Sequence, residues 1–275
     1  MILEISLGIG LAILGIAFVA EYIDSTLGMG YGTTLTPLLL LMDFEPLQIV
    51  PAILLSELLS GIFAAFLHHK HGNVYFDFRN DHEHKIRKRL GKLGYIPKSK
   101  SAKIALVLAL LSIIGTVAAV LVAVNIPKFY LKLYIGVLVL VMGILILIKH
   151  GKKSKFSWKK IIGLGVIASF NKGMSGGGYG PVVTSGQILS GLKTKAAIGI
   201  TSLAEGLTCL VGVITYLLIT SSINWSLAPF LVIGAIFSVP LSAYTVKIMK
   251  TKRLTLIIGI ATTLLGILTL AKLFW

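Results

Sequence analysis

Charged side chains are scarce in this chain. Only 13% of its 275 residues are Asp, Glu, Lys or Arg and 56% are hydrophobic, whereas about 25% charged residues is usual for a soluble domain. The mean hydropathy is +0.92, so water is excluded as the solvent for most of the surface. Apolar runs close to the roughly 20 residues of a membrane-crossing helix recur along the whole chain. The composition therefore predicts an all-α polytopic membrane protein.

Acidic residues and cysteine are scarcer still. There are 10 Asp and Glu against 26 Lys and Arg, which gives a formal net charge of +16. In a soluble protein this charge would indicate nucleic acid, but in a membrane protein it is typical of basic cytoplasmic loops. We therefore expect no nucleic-acid partner. The single cysteine, Cys209, excludes an internal disulfide and a thiolate metal cage, and no metal or other cofactor is predicted.

Two glycine-rich motifs indicate an internal repeat. Residues 28–32 read Gly-Met-Gly-Tyr-Gly and residues 176–180 read Gly-Gly-Gly-Tyr-Gly, 148 residues later. The same spacing relates Glu57 to Glu205, which both lie in apolar runs. Composition alone does not account for matching Gly-Tyr-Gly motifs and matching glutamates. The chain is therefore interpreted as a duplicated unit.

The positions of Lys and Arg predict the topology. If each glycine-broken segment crosses together with its short helix, the chain makes about ten crossings and places 22 of the 26 Lys and Arg on one side. That side is the cytoplasm; it includes the basic loop 68–103, and both termini lie outside. Five crossings in each half, residues 1–150 and 151–275, make the two repeats inverted. Inverted repeats with broken helices are typical of secondary transporters.

The glycine motifs are the predicted substrate site. Non-helical backbone at membrane depth survives only beside a cavity or buried in protein, and the N-terminus of a short helix offers free N–H groups and partial positive charge to an anion. The alternative is that the glycines only permit close helix crossing. The candidate substrate-binding residues are Gly28, Gly30, Tyr31, Gly32, Thr33, Asn171, Lys172, Gly176, Gly177, Gly178, Tyr179 and Gly180.

Ionisable residues inside apolar segments form a second group of candidates. Lys172 is costly there unless it has a partner or faces a cavity, so it is either a ligand for an anion or the ion-pair partner of Asp24, its repeat counterpart. Glu57 and Glu205 suit a proton carrier because desolvation favours the protonated carboxyl. Structural hydrogen bonds to hydroxyls are the alternative role. The predicted ion-coupling residues are Glu57, Glu205, Asp24 and Glu21.

Two motifs point to other functions. Gly-x-Ser-Gly at 173–176 is similar to the nucleophile motif of rhomboid-type intramembrane proteases, which need a general base; all six histidines are expected in loops. Gly-Tyr-Gly is similar to a potassium filter, which needs four parallel loops. A passive anion channel and an intramembrane hydrolase remain alternatives, and an enzyme is not expected.

The residues Glu21–Pro37 and the second motif at Gly176–Pro181, followed by Gly-Ile-Thr-Ser-Leu at 199–203, resemble the sulfite exporter TauE/SafE family. The resemblance covers essentially the whole chain. It implies a carrier in the cytoplasmic membrane for small sulfur-containing anions such as sulfite or organosulfonates. Export is the favoured direction, although the residues themselves leave the direction open. The expected partners are the anion and the lipid bilayer, and a homodimer is left open.

Overall fold

The computed structural model describes residues 6–28, 30–80, 95–148, 157–220, 223–248 and 252–274. Within these ranges the chain forms ten helices and two short strands. In chain order the elements are α1 (Leu7–Leu27), α2 (Tyr31–Leu41), α3 (Pro46–Lys70), β1 (Phe78–Asn80), β2 (Tyr95–Pro97), α4 (Lys100–Asn125), α5 (Lys128–Ile148), α6 (Trp158–Ser175), α7 (Tyr179–Leu189), α8 (Thr194–Thr220), α9 (Ala228–Ile248) and α10 (Lys252–Phe274).

Six of the described helices, α1, α3, α4, α5, α8 and α9, are long and apolar enough to cross a membrane. Their outer faces carry large apolar side chains, such as Ile114, Leu218 and Phe237, which are 71–80% exposed. Exposed apolar surface of this extent suits lipid rather than water. The prediction of a helical multi-pass membrane protein is confirmed.

The helices α2 and α7 are short, with 11 residues each. At 1.5 Å per residue each spans about 16 Å, roughly half of a 30 Å hydrocarbon core. Neither is long enough to cross a bilayer alone.

A glycine in the left-handed conformation ends the helix before each short one. Gly28 caps α1 with φ +69° and Gly176 caps α6 with φ +72°, a backbone conformation that favours glycine. The N–H of each cap donates to a carbonyl four residues back, that of Asp24 or Lys172. The chain then turns, and the short helices begin at Tyr31 and Tyr179. The helix breaks that the sequence predicted at both glycine motifs are present.

The main helix pairs join the first five helices to the last five. Helix α1 packs along α9, and α6 packs along α4; α3 packs against α8, and α5 against α10. The first helix of each set of five therefore packs along the fourth helix of the other set: α1 along α9, and α6 along α4. The two sets interlock instead of forming separate cores.

The two helix breaks lie backbone to backbone at the centre of this arrangement. A Cβ atom added to Gly32 would overlap the carbonyl oxygen of Gly176, and one added to Gly177 would lie 2.6 Å from the backbone nitrogen of Thr33. Helices α3 and α8 cross almost as closely, because a Cβ on Gly61 would lie 3.2 Å from the Cα of Gly206. Only glycine permits these approaches.

Two details of the sequence prediction are wrong. The histidines are not all in loops, because α3 continues to Lys70 and includes His68 and His69. His68 is buried, and its ring bonds the carbonyl of Ser25 at 2.9 Å and the amide of Asn73 at 3.1 Å. The second detail is the segment 68–103, which was expected to be a loop throughout. It contains the last turn of α3 and the strands β1 and β2, which pair antiparallel. Residues 81–94 of this segment lie outside the described residues.

We expect Gly32→Ala to destabilise the protein by about 1–3 kcal/mol, because the added methyl group overpacks a contact between two backbones. Gly15→Ala is the matched control, since a Cβ on Gly15 meets nothing within 4 Å. Thermal unfolding of both purified variants in detergent measures the difference. Equal melting temperatures for the two variants would contradict the close approach of the breaks.

Candidate functional site

Lys172 lies in the last turn of α6 and is fully buried. Its ammonium group donates to a carboxylate oxygen of Glu57, on α3, and to one of Glu205, on α8, at 2.8 Å. The two glutamate side chains are 3% and 6% exposed. One ammonium group therefore bridges two carboxylates, and the three groups carry a formal charge of −1 when all are ionised.

Two carboxyl groups from α1 complete what we call the carboxyl–lysine cluster: Glu21, Asp24, Glu57, Lys172 and Glu205. Asp24, Glu57 and Glu205 each place one carboxylate oxygen within 4.8 Å of the others. One oxygen of Glu21 accepts a hydrogen bond from Ser25 at 2.5 Å. Four carboxylates and one ammonium group would carry a formal charge of −3. Burial of uncompensated charge is costly, so this cluster must take up positive charge.

The space inside the cluster is narrow and polar. It does not admit a water molecule. Its lining residues are Glu21, Asp24, Ser25, Glu57, Ser60, Gly61, Ser202 and Glu205. The thiol of Cys209 approaches it from α8, with its Sγ 3.9 Å from a carboxylate oxygen of Glu57. We call this arrangement, in which the lining residues leave no room for water, the closed conformation; a guest enters the space only if the lining moves apart.

The starts of the two short helices meet beside this cluster. The Gly178 N–H donates to the hydroxyl of Thr33 at 3.0 Å, and the Tyr31 N–H points to a carboxylate oxygen of Asp24 at 3.4 Å. The Gly177 N–H donates to the hydroxyl of Ser175. All twelve residues predicted to bind substrate are buried. In this conformation, these three N–H groups face protein oxygens.

Three predicted binding side chains have packing roles in this conformation. The Tyr31 hydroxyl bonds the hydroxyl of Ser56 at 2.6 Å, and the amide oxygen of Asn171 accepts from the hydroxyl of Tyr134 at 2.7 Å. The hydroxyl of Tyr179 is buried beside the hydroxyl of Thr208. In this conformation, all three side chains must therefore leave protein neighbours to bind a ligand.

The ion-pair partners of Lys172 differ from the one considered from the sequence. Its ammonium group pairs with Glu57 and Glu205, whereas the carboxylate of Asp24 accepts the backbone N–H of Tyr31. Sequence reasoning identified all five charged residues of the cluster but did not connect the lysine to the glutamates. Ser60 was considered as a hydroxyl partner of the glutamates, whereas Ser25 and Ser202 of the lining were not identified as site residues, because a serine in an apolar run gives no signal by itself.

The hydroxyl of Ser175, the candidate protease nucleophile, is held by its own helix. It donates to the backbone carbonyl of Asn171 at 2.8 Å. The buried histidine, His68, uses both ring nitrogens on Ser25 and Asn73. A serine nucleophile needs a base within hydrogen-bond reach, so this geometry gives no support to hydrolysis.

We expect Lys172→Met to lower the stability by about 3–5 kcal/mol at pH 8, because it leaves two buried carboxylates without their cation. The loss should shrink at pH 5, where the carboxyl groups take up protons more readily. Lys132→Met is the control, since Lys132 pairs with Glu45 at 3.5 Å and is one-third exposed, so its loss costs at most about 1 kcal/mol. Thermal unfolding at both pH values tests this; equal losses for the two variants would contradict it.

Comparison with known proteins agrees with this architecture. The family model described as "Sulfite exporter TauE/SafE" matches residues 13–79 and 93–269, which is most of the chain. The chain is also 26% identical over 260 residues to a protein of Bacillus subtilis (strain 168) described as "Probable membrane transporter protein YtnM". That alignment covers 89% of this chain and 77% of the relative. The chain belongs to the sulfite exporter TauE/SafE family of membrane transporters.

Proposed function

We propose that this protein is a secondary transporter of the cell membrane that exports a small sulfur-containing anion, sulfite or an organosulfonate, together with protons. The observation that carries the proposal is the buried ammonium group of Lys172 between the carboxylates of Glu57 and Glu205. The family's description, as a sulfite exporter, supports the class of anion and the direction.

The proposed topology is a pair of inverted five-helix repeats, residues 1–150 and 151–275, with about ten crossings. The exchanged packing of first and fourth helices supports a two-fold relation between the halves. The matching left-handed caps at Gly28 and Gly176 support it as well. By the distribution of Lys and Arg, the basic loop 68–103 lies in the cytoplasm and both termini lie outside.

Charge balance makes anion binding depend on protons. Lys172, Glu57 and Glu205 together carry a formal charge of −1 when both glutamates are ionised. A monovalent anion that contacts Lys172 makes this charge −2, in a space that admits no water. Protonation of either glutamate weakens its bond to the ammonium group, which can then donate to the anion. The formal charge of the three groups and the anion returns to −1. Anion and proton therefore bind together, and protonation raises the affinity for the anion.

The helix breaks supply the remaining ligands. The N–H groups of Tyr31 and Gly178 bond Asp24 and Thr33 in the closed conformation. When the breaks separate, these N–H groups are free to bind anion oxygens at the starts of α2 and α7. Movement of one repeat against the other then exposes the anion to one side of the membrane at a time.

A ligand screen should identify the anion, because a bound ligand stabilises the folded state, by about 2.7 kcal/mol at a hundred times its dissociation constant. We expect sulfite, thiosulfate or sulfoacetate to raise the melting temperature of the purified protein. Taurine, which has no net charge, and simple carboxylates serve as comparisons. A shift with carboxylates and with none of the sulfur anions would contradict the proposed substrate class.

An imposed proton gradient should drive transport against the anion gradient. Proteoliposomes with an acidic exterior are expected to accumulate radiolabelled sulfoacetate, whose sulfonate group stays ionised and does not leak as a neutral acid. Glu57→Gln and Glu205→Gln should retain exchange of the anion but lose accumulation. Glu45→Gln is the control, because Glu45 lies near the surface and pairs with Lys128 and Lys132. Flux that only follows the anion gradient in the wild type would indicate a channel.

A further inference from the structure

Asp24 and Lys172 occupy equivalent places in the fold. Each lies in the last turn of its helix, α1 or α6, and its backbone carbonyl accepts the N–H of the glycine cap that ends that helix. Both side chains reach the carboxylates of Glu57 and Glu205. On the α6 side, the cluster receives a cation, the ammonium group of Lys172. On the α1 side, the equivalent residue is a carboxylate.

The α1 side also holds carboxylate oxygens that are poorly supplied with donors. Among the described residues, the Oε1 atom of Glu57 is buried and has no hydrogen-bond partner, and the Oε2 atom of Glu21 has only the hydroxyl of Ser60 close to it. Glu21 and Glu57 are 1% and 2% exposed, and both line the same narrow space as Asp24 and Ser60. Buried polar atoms are nearly always satisfied, so an unpartnered carboxylate oxygen beside two further carboxylates indicates a bound positive charge.

We propose that the α1 side of the cluster, formed by Glu21, Asp24, the Oε1 atom of Glu57 and Ser60, binds one Na⁺ ion. The ion occupies the place that is equivalent to the ammonium group of Lys172. It neutralises one of the three excess negative charges of the cluster, and protons on the carboxyl groups neutralise the rest.

The dimensions of the site favour a monovalent ion. The carboxylate oxygens of Asp24, Glu57 and Glu205 lie within 4.8 Å of one another, so the carboxylates here are close enough together to share a single cation. Mg²⁺ keeps several waters and Ca²⁺ takes 6–8 oxygen ligands, whereas this space admits no water. The same narrowness disfavours K⁺, which is larger than Na⁺.

The inference deepens the proposed function, because the ion would move with the anion and protons in the same cycle. Its test needs no transported anion. Binding of ²²Na⁺ to the purified full-length protein in detergent, in choline chloride at pH 8, should saturate at one ion per chain. Lowering the pH should weaken binding, since protons compete with the ion for the carboxylates of the site. Unlabelled K⁺ should compete at least tenfold more weakly than unlabelled Na⁺.

Two variants locate the ion. Asp24→Asn and Glu21→Gln should each weaken ²²Na⁺ binding at least tenfold. Asp43→Asn is the control and should bind as the wild type does. The Lys272 hydrogen bond and charge lower the pKa of the Asp43 carboxyl, so Asp43 is also an ionised carboxylate at pH 8, but one on the surface.

Several results would overturn the inference. These are the absence of saturable ²²Na⁺ binding at pH 8, unchanged binding in both variants, or displacement of ²²Na⁺ by micromolar Ca²⁺ or Mg²⁺. If Asp24→Asn does not fold, Glu21→Gln and the wild-type stoichiometry decide. A wild type without Na⁺ binding that still accumulates sulfoacetate in an acidic exterior would refute the ion site and leave the proposed function intact.

Discussion

The structure depends on the cost of burying charge in lipid. Lys172 is 0% exposed, and such an ammonium group persists only with carboxylate partners. Its partners come from α3 and α8, the two helices that cross at Gly61 and Gly206. The glycine breaks end α1 and α6 so that their last turns reach this crossing. The folded core of an otherwise apolar protein is therefore organised around a few ionisable groups.

The glycines that pack closely at the helix breaks are also the residues to which the proposed function assigns ligand binding. In the closed conformation they bring two backbones together, as at Gly32 and Gly176, which is the packing role considered from the sequence. The N–H groups beside them bond protein oxygens that an anion can replace. The two interpretations are therefore compatible, because an anion that replaces these oxygens would use the same N–H groups when the breaks separate.

Local features of this fold could be predicted from the sequence, whereas contacts between distant helices could not. The breaks at Gly28 and Gly176 follow from glycine clusters within apolar runs, and the helices follow from hydropathy. The pairing of Lys172 with Glu57 and Glu205 depends on the rotation of three helices that are far apart in sequence. His68 was misplaced because two hydrogen bonds, to Ser25 and Asn73, compensate its burial, and hydropathy does not register such bonds.

The exchange of helix partners between the halves has a consequence for biosynthesis. Helix α1 is made about 200 residues before α9, the helix along which it packs. Until α6 is made, Glu21 and Asp24 lack Lys172, and until α9 is made, α1 lacks the helix along which it packs. The newly inserted first half must therefore hold these carboxyl groups as neutral acids or shield them against the insertion machinery. Both missing partners come from the second half of the chain.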